Sequence, residues 1–503
     1  MIEDLQREPT EPDLRIGLAL SGGGHRASAW ALGVLIHLVD VNATHSLRSI
    51  ASVSGGSITN GFVAANYDLK KSERAAFAEK VAAPLARRIA TDGTVFADRM
   101  ARDVKRAIVG LTILTVILAL AVVIVTLGNW YVALLGPEPF ELRGPPSFSW
   151  LGSALMAALC TLLFLFTKRG DVFRGGYDRI LFHQKLLGDA AREVEHVFCT
   201  TDMQFGEHVY LSARFVYAYR LGVSPPSGLL LADAVSASAA FPGAFPPHRI
   251  PTKSMAFKFG ADTLPKQLVL LDGGIYDNMA EQWLTGITKR VSGKDLDANS
   301  HGRAQLLKSV TAMNTVPNEL IVANASPAFP KEDIEAMTTL GLELAALFKF
   351  PLALHDNSSS LRRNYLVTQF IKTAATGKGL RGTLVHIGTN PAASAQVARA
   401  ELNRGQPNAS QKERVSSVER LLNSPLGEDN TAVDWTSITR RNCSIATVLD
   451  PIGERATAEL MMHACVLTAV QRCLYLEQPL PPEVDWPCLF SWERFARLAR
   501  GIC

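Results

Sequence analysis

Charge is what this sequence has least of. Asp, Glu, Lys and Arg supply 19% of its 503 residues and the apolar set 48%, a balance that leans away from an ordinary soluble domain and toward a membrane. The net charge is only +4, and no long basic run carries interleaved aromatics, so nucleic acid is not an expected partner. Paired cysteines are missing as well. Cys160, Cys199, Cys443, Cys465, Cys473, Cys488 and Cys503 are odd in number and scattered, with no C-x-x-C spacing. They read as free thiols in a reducing compartment, not as a disulfide frame or a zinc site. No metal-ligand motif is evident, and neither a metal nor another cofactor is expected. Met1 to Arg15 is polar and acidic (Glu3, Asp4, Glu8, Glu11, Asp13), so no signal peptide is read at the start. Internal repeats and low-complexity tracts are absent.

What the sequence does contain is two uncharged runs. Ala107 to Leu127 is dominated by Leu, Ile and Val, and Phe148 to Phe166 is again free of charge. About 20 such residues span a hydrocarbon core, so the pair reads as a transmembrane hairpin. Arg99, Arg102, Lys105 and Arg106 precede it and Lys168, Arg169 and Arg174 follow it. The connecting Gly128 to Ser147 looks like a loop, with Glu138, Glu141 and only Arg143. The positive-inside rule then puts both flanks in the cytoplasm. A hairpin returns the chain to the side it left, so a folded domain can be interrupted there without being divided. Such an anchor in a chain with free thiols suits a bacterial inner membrane. Ser72 to Arg106, before the hairpin, reads as one amphipathic helix.

Around these runs, short buried strands alternate with helical stretches. Leu14 to Ser21 is followed by Gly22-Gly23-Gly24-His25-Arg26 and an apolar helix. A strand, a glycine loop and a helix place backbone amides at a helix N-terminus, where anions bind. The spacing matches neither nucleotide-phosphate motif, which leaves an oxyanion hole as the chemical reading. One unit later, Ile50-Ala51-Ser52-Val53-Ser54-Gly55-Gly56-Ser57 has the pattern of a nucleophile elbow centred on Ser54. Ser52 stands where the first glycine of G-x-S-x-G belongs. Gln267 to Leu271 is another buried strand, ending in Asp272-Gly273-Gly274. Glu319 to Asn324 and Thr383 to Ile387 read as further strands, Leu229 to Phe241 as a small-residue helix, Asn390 to Asn430 as polar loop, and Glu454 to Leu476 as a helix with a packing face. The alternation means an α/β sandwich. Glycine loop, serine turn and aspartate all sit at strand ends, where reactive groups gather in open α/β sheets.

On these motifs the sequence resembles the patatin-like phospholipase family. Gly22-Gly23-Gly24-His25-Arg26 looks like the family's oxyanion loop, Ser52-Val53-Ser54-Gly55-Gly56 like its serine elbow, and Asp272-Gly273-Gly274 like its aspartate motif. Ala237-Ser238-Ala239-Ala240-Phe241-Pro242 and Thr201-Asp202-Met203-Gln204-Phe205-Gly206-Glu207 look like two further blocks, in the right order. The resemblance covers about 14–67 and 195–330. It implies a three-layer sandwich with a central, mostly parallel sheet, here interrupted by the two-helix hairpin. The expected parts are a catalytic domain at 14–100 and 175–390, the hairpin at 107–166 and a C-terminal helical extension at 391–503.

The resemblance also implies a Ser54–Asp272 dyad without a catalytic histidine. An oxyanion hole would be drawn from Gly22, Gly23, Gly24 and Gly55, with Arg26, Gly273 and Gly274 in support. The implied activity is hydrolysis of carboxylic esters in phospholipids or lysophospholipids by a membrane-anchored enzyme facing the cytoplasm. Two alternatives stand beside it. One is a Ser-His-Asp esterase in the order Ser54, Asp272, His386. The other is a catalytically degenerate, membrane-bound lipid binder or scaffold, suggested by Ser52 in the elbow.

Overall fold

The structure, a computed structural model, describes residues 14–135, 147–190, 193–260, 263–292, 300–311, 316–327, 339–405 and 408–503. In chain order the elements that matter for the site are β1 (Ile16–Leu20), α1 (Gly24–Asp40), β2 (Leu47–Ser52), α2 (Gly55–Asn66), α3 (Arg99–Leu135), α4 (Ser147–Tyr177), β3 (Glu195–Asp202), β4 (His208–Ser212), β5 (Val216–Ala218), β6 (Gly222–Ser224), α5 (Leu231–Ser238), β7 (His248–Pro251), β8 (Gln267–Asp272), β9 (Glu319–Asn324), β10 (Arg381–His386) and α6 (Glu454–Tyr475).

The strands build one sheet in the order β10-β9-β1-β2-β3-β4-β5-β6, with β8 paired to β3 and β7 to β8. From β10 to β3 every neighbour is parallel; β4, β5, β6, β7 and β8 pair antiparallel. The sheet is therefore mixed, parallel from β10 to β3 and antiparallel beyond. β1 and the middle of β9 are continuous apolar runs because both faces are covered. Leu18 and Leu20 of β1 join one core with α1, α2 and α6, while Ala19 joins a second core with Trp283, Leu284, Leu307 and Leu366. This is a sheet with helices on both sides.

Helix α6 lies in the first core rather than at the periphery. Every residue from Thr457 to Cys473 is buried, and α6 packs along α1. Gly33 of α1 makes that approach possible, since a Cβ there would lie 2.8 Å from Ala464 Cβ.

Three local readings change. The helix expected from Ser72 to Arg106 runs without a break only over 74–92, with π-helical segments at Ala78–Ala82 and Arg88–Asp92, and ends at Gly93, which takes φ +83°. A new helix, α3, then starts with its Ala101 amide on Asp98 Oδ1 at 2.9 Å, a side-chain cap that composition alone does not announce. The polar stretch Asn390 to Asn430 holds two helices, Pro391–Arg404 and Ala409–Asn423. Asn390 and Asn408 cap them through Ala392 N (2.8 Å) and Gln411 N (2.8 Å), and Val415, Val418, Leu421 and Leu422 form the buried stripe. The small-residue helix is shorter than read, Leu231–Ser238.

Helices α3 and α4 pack against each other. Arg99–Gly128 and Trp150–Phe182 are long and apolar enough to cross a membrane, and their apolar windows are 0% and 6% buried within the protein. Helix α3 runs on to Leu135, so Trp130 and Tyr131 belong to it and not to a loop. Glu138, Glu141 and Arg143 lie outside the described residues.

Candidate active site

Strand β2 stops at Ser52, and α2 starts at Gly55. Ser54 makes the turn between them with φ 50° and ψ −118°. A non-glycine residue held at such an angle costs on the order of 1–3 kcal/mol and persists only where its surroundings enforce it. Here they do. Val53 N donates to Leu20 O (3.0 Å), Gly56 N to Ser21 O (3.1 Å), and Ser54 N to Ser238 O (3.1 Å).

The two glycines after Ser54 are needed for close approach. A Cβ at Gly55 would fall on the Gly24 carbonyl oxygen, and one at Gly56 would lie 2.6 Å from Leu20 O. Backbone stands on the other side in both cases, and it has nowhere to go. Gly55→Ala is therefore expected to lower stability by about 1–3 kcal/mol and to remove reactivity at Ser54 together. Thermal denaturation and active-site labelling of the same preparation check this.

Ser52, the departure from the elbow pattern, is fully buried and bonded on three sides. It donates to Val197 O (3.2 Å) and accepts from Ser57 Oγ (2.9 Å) and Asn60 Nδ2 (2.8 Å). Ser57 Oγ reaches on to Ser238 Oγ (2.8 Å), and Asn60 Oδ1 meets His196 Nδ1 (2.6 Å). A satisfied polar network of this kind rigidifies a core. The extra hydroxyl under the elbow is thus part of the scaffold.

Asp272 ends β8 and is buried. The Ser54 hydroxyl lies near enough to its carboxylate to favour the ionised form, and Gly274 N donates to Oδ1 at 2.7 Å. Burial pushes the Asp272 carboxyl up to about 6, against the opposing pull of those two donors. The two turns are held by one segment. Ser238 O also accepts from Gly273 N (3.4 Å), and Ala240 O accepts from Asp272 N (3.0 Å). Ser238 Oγ is fixed in turn on Cys199 O (2.7 Å).

The glycine loop lies against the same place. Gly23 takes φ +136° and Gly24 φ +58°, angles that favour glycine. Among the hydrogen bonds of the described residues none uses the amides of Gly23, Gly24 or Gly55. Gly22 differs from expectation. Its amide donates to Asn278 O (3.0 Å), so it supports the loop and is not available as an oxyanion donor. Ser28 ties loop to elbow, its hydroxyl lying 2.7 Å from Gly55 O and 3.2 Å from Gly24 O.

Arg26 is buried, and its guanidinium is used inside the protein. It donates to Ala325 O (2.9 Å), to Ile445 O and to Thr447 Oγ1 (3.1 Å). His25 N donates to Val448 O (2.8 Å), and His25 Nδ1 meets Asp450 O (2.8 Å). Residues 445–450 therefore strap the glycine loop from the C-terminal side. Little in the sequence signals this, because apart from Thr447 Oγ1 the strap offers backbone carbonyls, which any residue carries. Asn278 was legible only as a neighbour of Asp272.

His386 stands apart. It ends β10, three strands from β2 in the sheet, about 14 Å at a spacing of about 4.8 Å. Its Nδ1 accepts from Gly388 N (3.1 Å) and its Nε2 lies 3.2 Å from Arg363. Burial and Arg363 together press its pKa down to about 4.

The sequence matches a described family. The model of the patatin-like phospholipases matches residues 18–282. Among solved structures, human GIVD cytosolic phospholipase A2 is similar at 11% identity with a TM-score of 0.32, over 69% of this chain and 49% of that one. This chain thus spans about half of that protein. VipD from Legionella pneumophila is similar at 12% identity with a TM-score of 0.23, over 97% and 92% of the two chains. No curated protein matches in sequence.

Proposed function

We propose that this chain, which belongs to the patatin-like phospholipase family, is a membrane-anchored serine hydrolase that cleaves acyl esters of phospholipids or lysophospholipids. The observation that carries the reading is that the strained Ser54 turn and the buried Asp272 are held together by one segment, whose Ser238 and Ala240 carbonyls accept from Ser54 N (3.1 Å) and Asp272 N (3.0 Å). Ser54 Oγ attacks the ester carbonyl as Asp272 takes its proton. The oxyanion that forms is met by the amides of Gly23, Gly24 and Gly55, each such donor being worth on the order of 100-fold or more in rate. Asp272 then gives the proton to the departing alcohol. Water, deprotonated by the same carboxylate, attacks the acyl-serine, and the proton returns to Ser54 as the fatty acid leaves.

A free aspartate near 3.9 is a weak base at neutral pH. A carboxyl raised to about 6 by burial is better matched to the task and still mostly ionised at pH 7. The site needs no metal in this scheme, and no cluster of metal-ligating side chains occurs among the described residues.

The hairpin supports the choice of a lipid substrate. Ile113, Ile117, Leu120, Ile124, Leu163 and Phe164 are each more than half exposed, and a hydrocarbon environment would cover them. Ala107 to Leu127 extends about 31 Å as a helix, the thickness of a bilayer core. By the positive-inside rule the basic residues at both bases support a cytoplasmic catalytic domain, in keeping with a bacterial inner membrane.

The test is labelling with a fluorophosphonate probe in isolated membranes, wild type against Ser54→Ala. Labelling of the wild type alone is expected. A wild type that takes no label, or a variant that takes as much, would instead favour a lipid-binding scaffold without turnover.

A further inference from the structure

A second apolar surface lies at the base of the hairpin. Between α5 and β7 the chain reads Ala240-Phe241-Pro242-Gly243-Ala244-Phe245-Pro246-Pro247, without one charged side chain. Phe241, Pro242, Gly243 and Ala244 are exposed, Phe241 by 46%. Single exposed apolar residues are ordinary, but a contiguous apolar patch marks a contact surface.

Its place relative to the hairpin is fixed by packing. A Cβ on Gly170 of α4 would meet Pro246 Cγ at 2.9 Å, so the loop lies directly on that helix. The rings of Phe245 and Phe173 are 5.1 Å apart, and Phe96 joins both, at 6.4 and 5.4 Å. Arg174 of α4 reaches Asp233 of α5 (3.5 Å), and His248 of β7 reaches the same carboxylate (3.4 Å). Both ends of the loop are therefore tied to α4.

Two gauges set its depth. Gly170 lies four residues past Phe166, the end of the uncharged run, which is about 6 Å along a helix. From the other helix, Lys105 sits two residues before Ala107 and holds its ammonium 4.4 Å above the Phe96 ring. Lys168, Arg249 and Lys253 are exposed nearby in the chain. Apolar side chains at the hydrocarbon edge with cations beside them suit a headgroup region.

We propose that the loop Phe241–Ala244 is a second bilayer contact, inserted at the boundary of headgroups and acyl chains beside the hairpin. The proposal rests on the hairpin crossing the membrane. It gives the site a defined approach for lipid, because the loop continues without a break from Ser238 and Ala240, whose carbonyls hold Ser54 and Asp272. A lipid rising beside Phe241 meets the segment that positions both reacting groups.

The experiment uses the full chain in phospholipid vesicles, with Cys160, Cys488 and Cys503 replaced by serine and Phe241→Cys carrying an environment-sensitive fluorophore. Ala244→Cys is labelled in parallel, so that one misfolded variant does not decide the matter. The expected result is blue-shifted emission, quenched strongly by lipids bearing a shallow doxyl group and weakly by aqueous iodide. Retention after alkaline carbonate reads the hairpin separately. A retained protein whose labels emit as in water and are quenched by iodide overturns the loop contact alone. A protein released by carbonate overturns the hairpin and the loop with it.

Discussion

Ser54→Ala is expected to lower turnover of a soluble carboxylic ester by about 10⁴-fold or more while leaving the fold intact, as removal of a serine nucleophile does in other hydrolases. The turn itself does not depend on the hydroxyl. It is held by main-chain bonds from Val53, Ser54 and Gly56, none of which uses the hydroxyl. Steady-state kinetics on a monodisperse short-chain ester, beside a circular dichroism spectrum, check both halves. His386→Ala in the same assay separates dyad from triad. Its ring is occupied by Gly388 and Arg363, so turnover is expected to survive. Activity lost in His386→Ala but kept in Ser54→Ala would place the chemistry elsewhere.

Asp272→Asn is expected to do two opposite things. Turnover falls by about 10²–10⁴-fold, the range for loss of a general base. Stability at neutral pH rises. The Asp272 carboxyl is moved from 3.8 to about 6 by burial, so the folded protein holds this proton more tightly than the unfolded chain. The penalty is absent below 3.8, grows between 3.8 and 6, and is complete above. At about 1.36 kcal/mol for each pH unit, the buried carboxylate destabilises the fold at pH 7 by roughly 3 kcal/mol. An amide of the same shape removes that charge. Denaturant titrations at pH 4 and pH 7 test the sign: the variant's advantage should be large at pH 7 and small at pH 4. In the wild type, turnover should fall about tenfold per pH unit below about 6, as the base is protonated. A flat profile between pH 4 and 7 would remove Asp272 from the role of base. A site that trades stability for reactivity in this way is a common pattern.

Much of the architecture was legible because it rests on local pattern. Continuous apolar runs at Ile16–Leu20 and at residues 320–323 lie in central parallel strands, since a strand covered on both faces reads that way. Gly22 to Gly24 and Gly55-Gly56 mark close backbone approach, and that requirement is carried by the residue type itself. Where reading failed, the deciding term was not local. Asn390 to Asn430 looks like loop because its charges and amides dominate; two asparagine caps and one buried stripe make it helical. Asn278 and, apart from Thr447 Oγ1, the strap at 445–450 act through main-chain carbonyls, which no residue identity encodes.

The sequence by itself determined the α/β alternation, the two uncharged spans and the order of the glycine loop, serine and aspartate, because periodicity and glycine placement are properties of short segments. Tertiary structure alone decided which amides stay open, since Gly22 is taken by Asn278 while Gly23 and Gly24 are not. It decided that Arg26 faces the C-terminal strap, that Ser52 sits in a bonded network, and that His386 is three strands away. It also set the pKa of Asp272. Burial and hydrogen bonding depend on residues tens to hundreds of positions distant, and those distances collapse only when the chain folds.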